Sequence, residues 1–225
     1  MKKLKFTSFI SSILLFITSC GSSVEVINSW KSDKIGTILD KNILVITRTE
    51  DNKKRGAFEE QMVAKLKHKG IKASTSYMKI PILNAERKIT PEEKKAFVDH
   101  IKEMGFNAII LTSLKKRSEQ IVTTEHGGYY TGGDYTSLYP QYYGGFYGYY
   151  NYPYSHPTYQ SYVPSTLTSD VRYSFVLETV IFNLDLSSTE QLVAVVTSAI
   201  DDPETVYTAA EEYVKKIGKS LREKH

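Results

Sequence analysis

Cysteine is almost missing from this sequence. Of 225 residues only Cys20 carries a thiol, so no disulfide can close within the chain. Long apolar runs are missing too, because the longest, Phe6 to Ile17, falls short of the roughly 20 residues that a permanent membrane helix needs. Histidine is scarce. None of the five, His68, His100, His126, His156 and His225, has another two to four residues away, which excludes a local zinc-ligand pair. There is no G-x-S-x-G elbow, and the Gly-rich pieces "GGYYTGGDY" and "GGFYGYY" lack the Lys-Ser/Thr ending of a phosphate loop. These absences argue against an enzyme, a metal protein or a cofactor site. One remaining acid-base reading would need Glu125 and His126, at the mouth of the Gly/Tyr segment, to meet other polar groups in a cleft.

What is present starts with an export signal. "MKKLKFTSFISSILLFITSC" sets Lys2, Lys3 and Lys5 before the apolar run, then the small residues Thr18 and Ser19 before Cys20. Three of the 29 basic residues belong to this leader, so the remainder has 26 against 25 acidic residues. So small a surplus gives no electrostatic case for binding nucleic acid. The stretch Ile17-Thr18-Ser19-Cys20 resembles the lipobox of bacterial lipoproteins. That resemblance implies cleavage before Cys20, a diacylglycerol on its sulfur and a further acyl chain on its new amino group. Two or more chains anchor firmly where one binds reversibly. Gly21, in place of Asp, points by resemblance to the outer membrane, and the lack of an acidic cluster after it to the periplasmic face.

Beyond the anchor, "GSSVEVINS" reads as a polar tether, and residues 20–35 are assigned to anchor and tether. A single domain is expected over 36–225. "NILVITRT" is a short β-branched run of the kind a covered strand shows. Phe58, Met62, Val63 and Leu66 form one face of a helix that Gly70 ends, with Glu59, Glu60, Lys65 and Lys67 assigned to its solvent side. "IKASTSYMKI" reads as the next strand. Thr90, Pro91 and Glu93 make a capping box for a second helix that Gly105 stops, and "FNAIILTSL" is a third strand. Further strands are read at Arg117 to Glu125 and Ser169 to Leu186. The last of these pairs with Glu190 to Ile200, before a closing helix capped by Asp202. The alternation predicts an α/β domain, a mixed sheet with helices packed on it.

Glu125 to Thr168 interrupts this domain with a Tyr/Gly-rich connection far longer than the usual two to six residues. Thirteen of the seventeen tyrosines lie between Gly127 and Tyr162, with Asp134 as the only carboxylate. So little aliphatic content cannot offset ordering costs of about 1–2 kcal/mol per residue, and the insert is expected to be disordered. If it binds, Tyr142, Tyr143, Phe146, Tyr147, Tyr149 and Tyr150 offer apolar rings suited to glycan or cell wall.

The pieces "SW", "NILVITRTED", "KLKHKGIKASTSY", "GFNAIILTSL" and "LETVIFNLDLSSTEQLVAVVTSAI" resemble a group of small envelope lipoproteins. Their α/β domain is like the amino-terminal domain of the Tol-system propeller protein and the curli secretion lipoprotein. The resemblance implies this fold and an envelope address. With no catalytic constellation in the chain, the expected role is that of a membrane-anchored, non-catalytic protein of envelope assembly, transport accessory or protein interaction.

Overall fold

The computed structural model describes residues 23–80, 90–122, 129–132, 145–146, 158–163 and 170–223. Its centre is one mixed sheet of eight strands, six of them in the order β1-β8-β7-β4-β2-β3. The strands are β1 (Ser23–Lys31), β2 (Ile43–Arg48), β3 (Ala73–Thr75), β4 (Ala108–Val122), β5 (Tyr129–Gly132), β6 (Thr158–Val163), β7 (Asp170–Asn183) and β8 (Leu192–Asp201). The helices are α1 (Asn52–His68), α2 (Pro91–Glu103) and α3 (Val206–Ser220), with a short 3-10 turn at Asp33–Ile38. The β2-β3 and β2-β4 pairs are parallel, as helical crossovers require, whereas β1-β8, β8-β7 and β7-β4 are antiparallel. The expected α/β class with helices on a mixed sheet is the observed one.

Each face of the sheet has its own core. Met62, Val63, Tyr213, Val214 and Ile217 of α1 and α3 pack on Ile43, Val45, Ile110, Ile181 and Val196. The opposite face sets Ile101 of α2, Phe106 and Ile80 against Leu44, Ile109, Leu111, Val180, Phe182 and Val195. The strands therefore read as continuous apolar runs because consecutive side chains enter different cores.

Residues 23–31 are not a tether. Val24 is 2 % exposed, and Ser23 to Lys31 pair with β8 from Asp201 to Ala194. An edge strand has one neighbour and needs few apolar residues, so its mixed polarity hid it. A bulge between Val26 and Asn28 shifts the pairing by one. Val24 and Val26 thus face the α1/α3 core, while Trp30, opposite Val195, reaches the other.

The strands read separately before and after Lys115 are one strand, β4. At about 3.3 Å per residue it runs about 50 Å, far beyond six-residue β2. Residues 108–113 take β2 as neighbour, and from Lys116 to Glu119 the same edge takes β6. A bulge between Leu114 and Lys116 marks the change. Since β6 pairs in turn with β5, two pieces of the insert belong to the sheet, which departs from the expected structureless connection. The closing helix is capped by Thr205, which accepts from the Thr208 N–H, and not by Asp202, whose φ of 46° places it in a turn.

Candidate functional site

The carboxyl ends of parallel strands and the amino ends of the following helices are where α/β sheets usually bind ligands. At that end of the α1/α3 face lies an apolar cavity of about 170 Å³. Phe58, Leu114, Phe175, Leu177 and Ile200 wall it, Pro203, Val206 and Ala209 close one side, and Thr47, Arg48, Thr49 and Lys54 form a polar margin. The Lys54 ammonium is 3.3 Å from Asp51, the N-cap of α1, which also accepts from the Lys53 and Lys54 N–H groups. Those hydrogen bonds, led by the one from Lys54, hold the Asp51 carboxyl below its usual range.

A partition separates this cavity from a second one on the same face. The Phe58 and Tyr213 rings meet edge to face at 5.4 Å. The Tyr213 hydroxyl is 2.9 Å from Thr179 Oγ1, which is 2.6 Å from Thr112 Oγ1. Complete burial pushes the Tyr213 phenol far up, so it stays neutral and serves as a hydrogen-bonding wedge between α3 and the sheet.

The position of α1 depends on two residues assigned from sequence to its exposed side or passed over. Glu59 is 0 % exposed and Arg55 4 %. Glu59 Oε1 accepts the Thr47 N–H at 2.9 Å and the Ser76 hydroxyl at 2.8 Å, while Oε2 accepts the Ser76 and Tyr77 N–H groups at 2.6 and 2.9 Å. Arg55 Nε lies 3.6 Å from Glu59 Oε1, and Nη2 donates to Ser76 Oγ and to the Ile80 carbonyl. Burial pushes the Glu59 carboxyl up, opposed by these four donors. The network also corrects the expected strand over Ile71 to Ile80. Glu59 takes the N–H groups of Ser76 and Tyr77 that a ladder would need, so β3 stops at Thr75. An Arg and a Glu four apart ordinarily read as a surface pair, and nothing in the pattern separates this one.

On the opposite face Lys115, at the β4 bulge, meets Glu178 at 3.0 Å, with both side chains buried. Burial pushes the Lys115 ammonium down and Glu178 opposes it. Among the described residues no three His, Cys, Asp or Glu side chains gather as a metal site.

Of the sequence-derived ligand surface, only Phe146 lies within the described residues. Tyr142, Tyr143, Tyr147, Tyr149 and Tyr150 lie outside them, as do Cys20, Glu125 and His126. Phe146 is not an exposed binding ring. It is 1 % exposed, stacked on Phe97 of α2 at 5.9 Å and edge-on to Phe182 at 6.0 Å. Gly145 makes the approach possible. It has φ of 76°, and a Cβ there would sit 3.0 Å from Gln191 Oε1 in the β7-β8 turn. The available signal was that Phe146 is the one phenylalanine between Gly127 and Tyr162, among thirteen tyrosines.

No protein-family model and no curated protein matches the chain. Among solved structures, a PelC dodecamer from Paraburkholderia phytofirmans matches with a TM-score of 0.39 and 6% identity, covering 87% of this chain and 95% of that one. A DUF4136 family protein from Bacteroides thetaiotaomicron matches with a TM-score of 0.32 and 15% identity, covering 89% and 96%.

Proposed function

We propose that the chain is a lipid-anchored, non-catalytic lipoprotein of the bacterial cell envelope, held to the outer membrane facing the periplasm. Its domain binds an envelope protein partner, in assembly or as a transport accessory. The observation that carries this reading is the position of the 170 Å³ cavity relative to the anchor. Ser23 pairs with Asp201, the neighbour of cavity residue Ile200, and Cys20 is three residues earlier in sequence. Three residues span at most about 10 Å, so a lipid on Cys20 would hold the cavity end of the domain close to the bilayer. An apolar hollow walled by Phe58, Leu114, Phe175 and Leu177 fits a hydrophobic side chain of a membrane-associated protein.

Partner capture from crosslinked membranes tests it. Wild type is expected to retain a specific protein that Leu114→Trp, which fills the cavity, loses while keeping the native circular dichroism. Recovery of the bait alone from wild-type membranes would sink the reading. Lipidation has its own check: the mature protein should carry added acyl mass that Cys20→Ala abolishes.

A further inference from the structure

The second cavity on the α1/α3 face has a different character. It encloses about 250 Å³ between the 3-10 turn and the carboxyl ends of α1 and α3. That exceeds the roughly 150 Å³ apolar cavity known to admit benzene in another protein. Its interior is hydrocarbon, from Met62, Leu66, Ile181 and Ile217, and its margin carries Lys65, Lys69 and Arg222. None of these three cations forms an ion pair with a carboxylate among the described residues, and Glu223, the nearest acid in sequence, pairs with Lys219. Partial burial first, then the charges of Arg222 and Lys65, push the Lys69 ammonium down, and among the described residues no carboxylate pairs with this positive margin.

We propose that this cavity binds a single-chain anionic amphiphile, with its hydrocarbon tail between α1 and α3 and its head group on Lys65, Lys69 and Arg222. Charge complementarity selects the anion, because a like-charged margin is relieved only by a negative ligand. The volume selects one short chain, since a two-chain lipid would far exceed it. The cavity opens at the opposite end of α3 from β1's Ser23, so this ligand is a cargo or effector of the domain and separate from its anchor.

The test uses the full chain in lipid nanodiscs, a diazirine-bearing C10 carboxylate as probe, and mass spectrometry to place the adducts. Adducts are expected on the segments holding Met62, Leu66 and Ile217. Unlabelled decanoate or decyl phosphate should compete, whichever is stronger identifying the head group, and uncharged decanol should not. Replacing the exposed Lys65, Lys69 and Arg222 together by Ala should weaken labelling about tenfold or more, as loss of charge-assisted contacts predicts. Ile217→Trp should block it sterically. Labelling elsewhere only, equal competition by decanol, or undiminished labelling of the triple variant would each overturn the proposal.

Discussion

The two faces of the sheet are covered by different means. On one, α1 and α3 run side by side, and their packing leaves two cavities separated by Phe58 and Tyr213. On the other, α2 is joined by Phe146, an aromatic contributed by the insert, which packs between Phe97 and Phe182. The first face buries the Arg55–Glu59 network and leaves two cavities. The second takes a side chain from an otherwise polar, Gly-rich segment to complete its core. The difference teaches that an insert can look dispensable in composition and still supply a ring to the core.

Substitutions can break this contrast, beginning with the helix-pair face. Glu59→Ala should cost about 3–5 kcal/mol, because it leaves Arg55 charged in the interior and strands the Thr47, Ser76 and Tyr77 N–H groups. Urea denaturation would show it as a lower midpoint, and a change below 1 kcal/mol would mean that the network is incidental. Phe146→Ala should cost about 3 kcal/mol, the usual loss for a buried ring. A midpoint unchanged from wild type would mean that the Phe146 ring adds nothing to the second core and would erase the contrast between the faces.

Tyr213→Phe sharpens the partition without removing it. The ring contact with Phe58 stays and the bond to Thr179 goes, for about 1 kcal/mol. If calorimetry finds no loss, the hydroxyl chain does not help to seat α3. The smallest effect concerns pH. Asp51 has its carboxyl lowered in the folded state, so its ionisation stabilises the fold above the unfolded value near 3.8, and that stability is lost as pH falls through the folded value. Asp51→Asn should therefore unfold at a lower temperature than wild type near neutrality, with the gap closing at acid pH. A gap independent of pH would assign the effect to cap geometry alone.

The helices and central strands were legible because their signals are local. The Thr90-Glu93 capping box formed as read, with Glu93 N–H donating to Thr90 and Thr90 N–H donating to Glu93. Gly70 and Gly105 follow their helices with φ of 76° and 83°. What failed depended on distant partners. Nothing near Glu59 announces that Ser76 and Tyr77 will come to it, and a carboxylate is by default exposed. Val24 became core only because β8 pairs beside it. Phe146 lies among tyrosines whose abundance masked the one ring suited to full burial.

Among the described strands β1 pairs on one side only, with β8, and so ends the sheet. The bulge at Ile27, which lets this strand serve both cores, also interrupts the even spacing of its backbone donors and acceptors. A second chain laid alongside would meet a broken template and could not extend the ladder strand by strand. For copies confined to one membrane plane, as the anchoring proposal has them, that single extra residue would make edge-to-edge pairing through β1 less favourable.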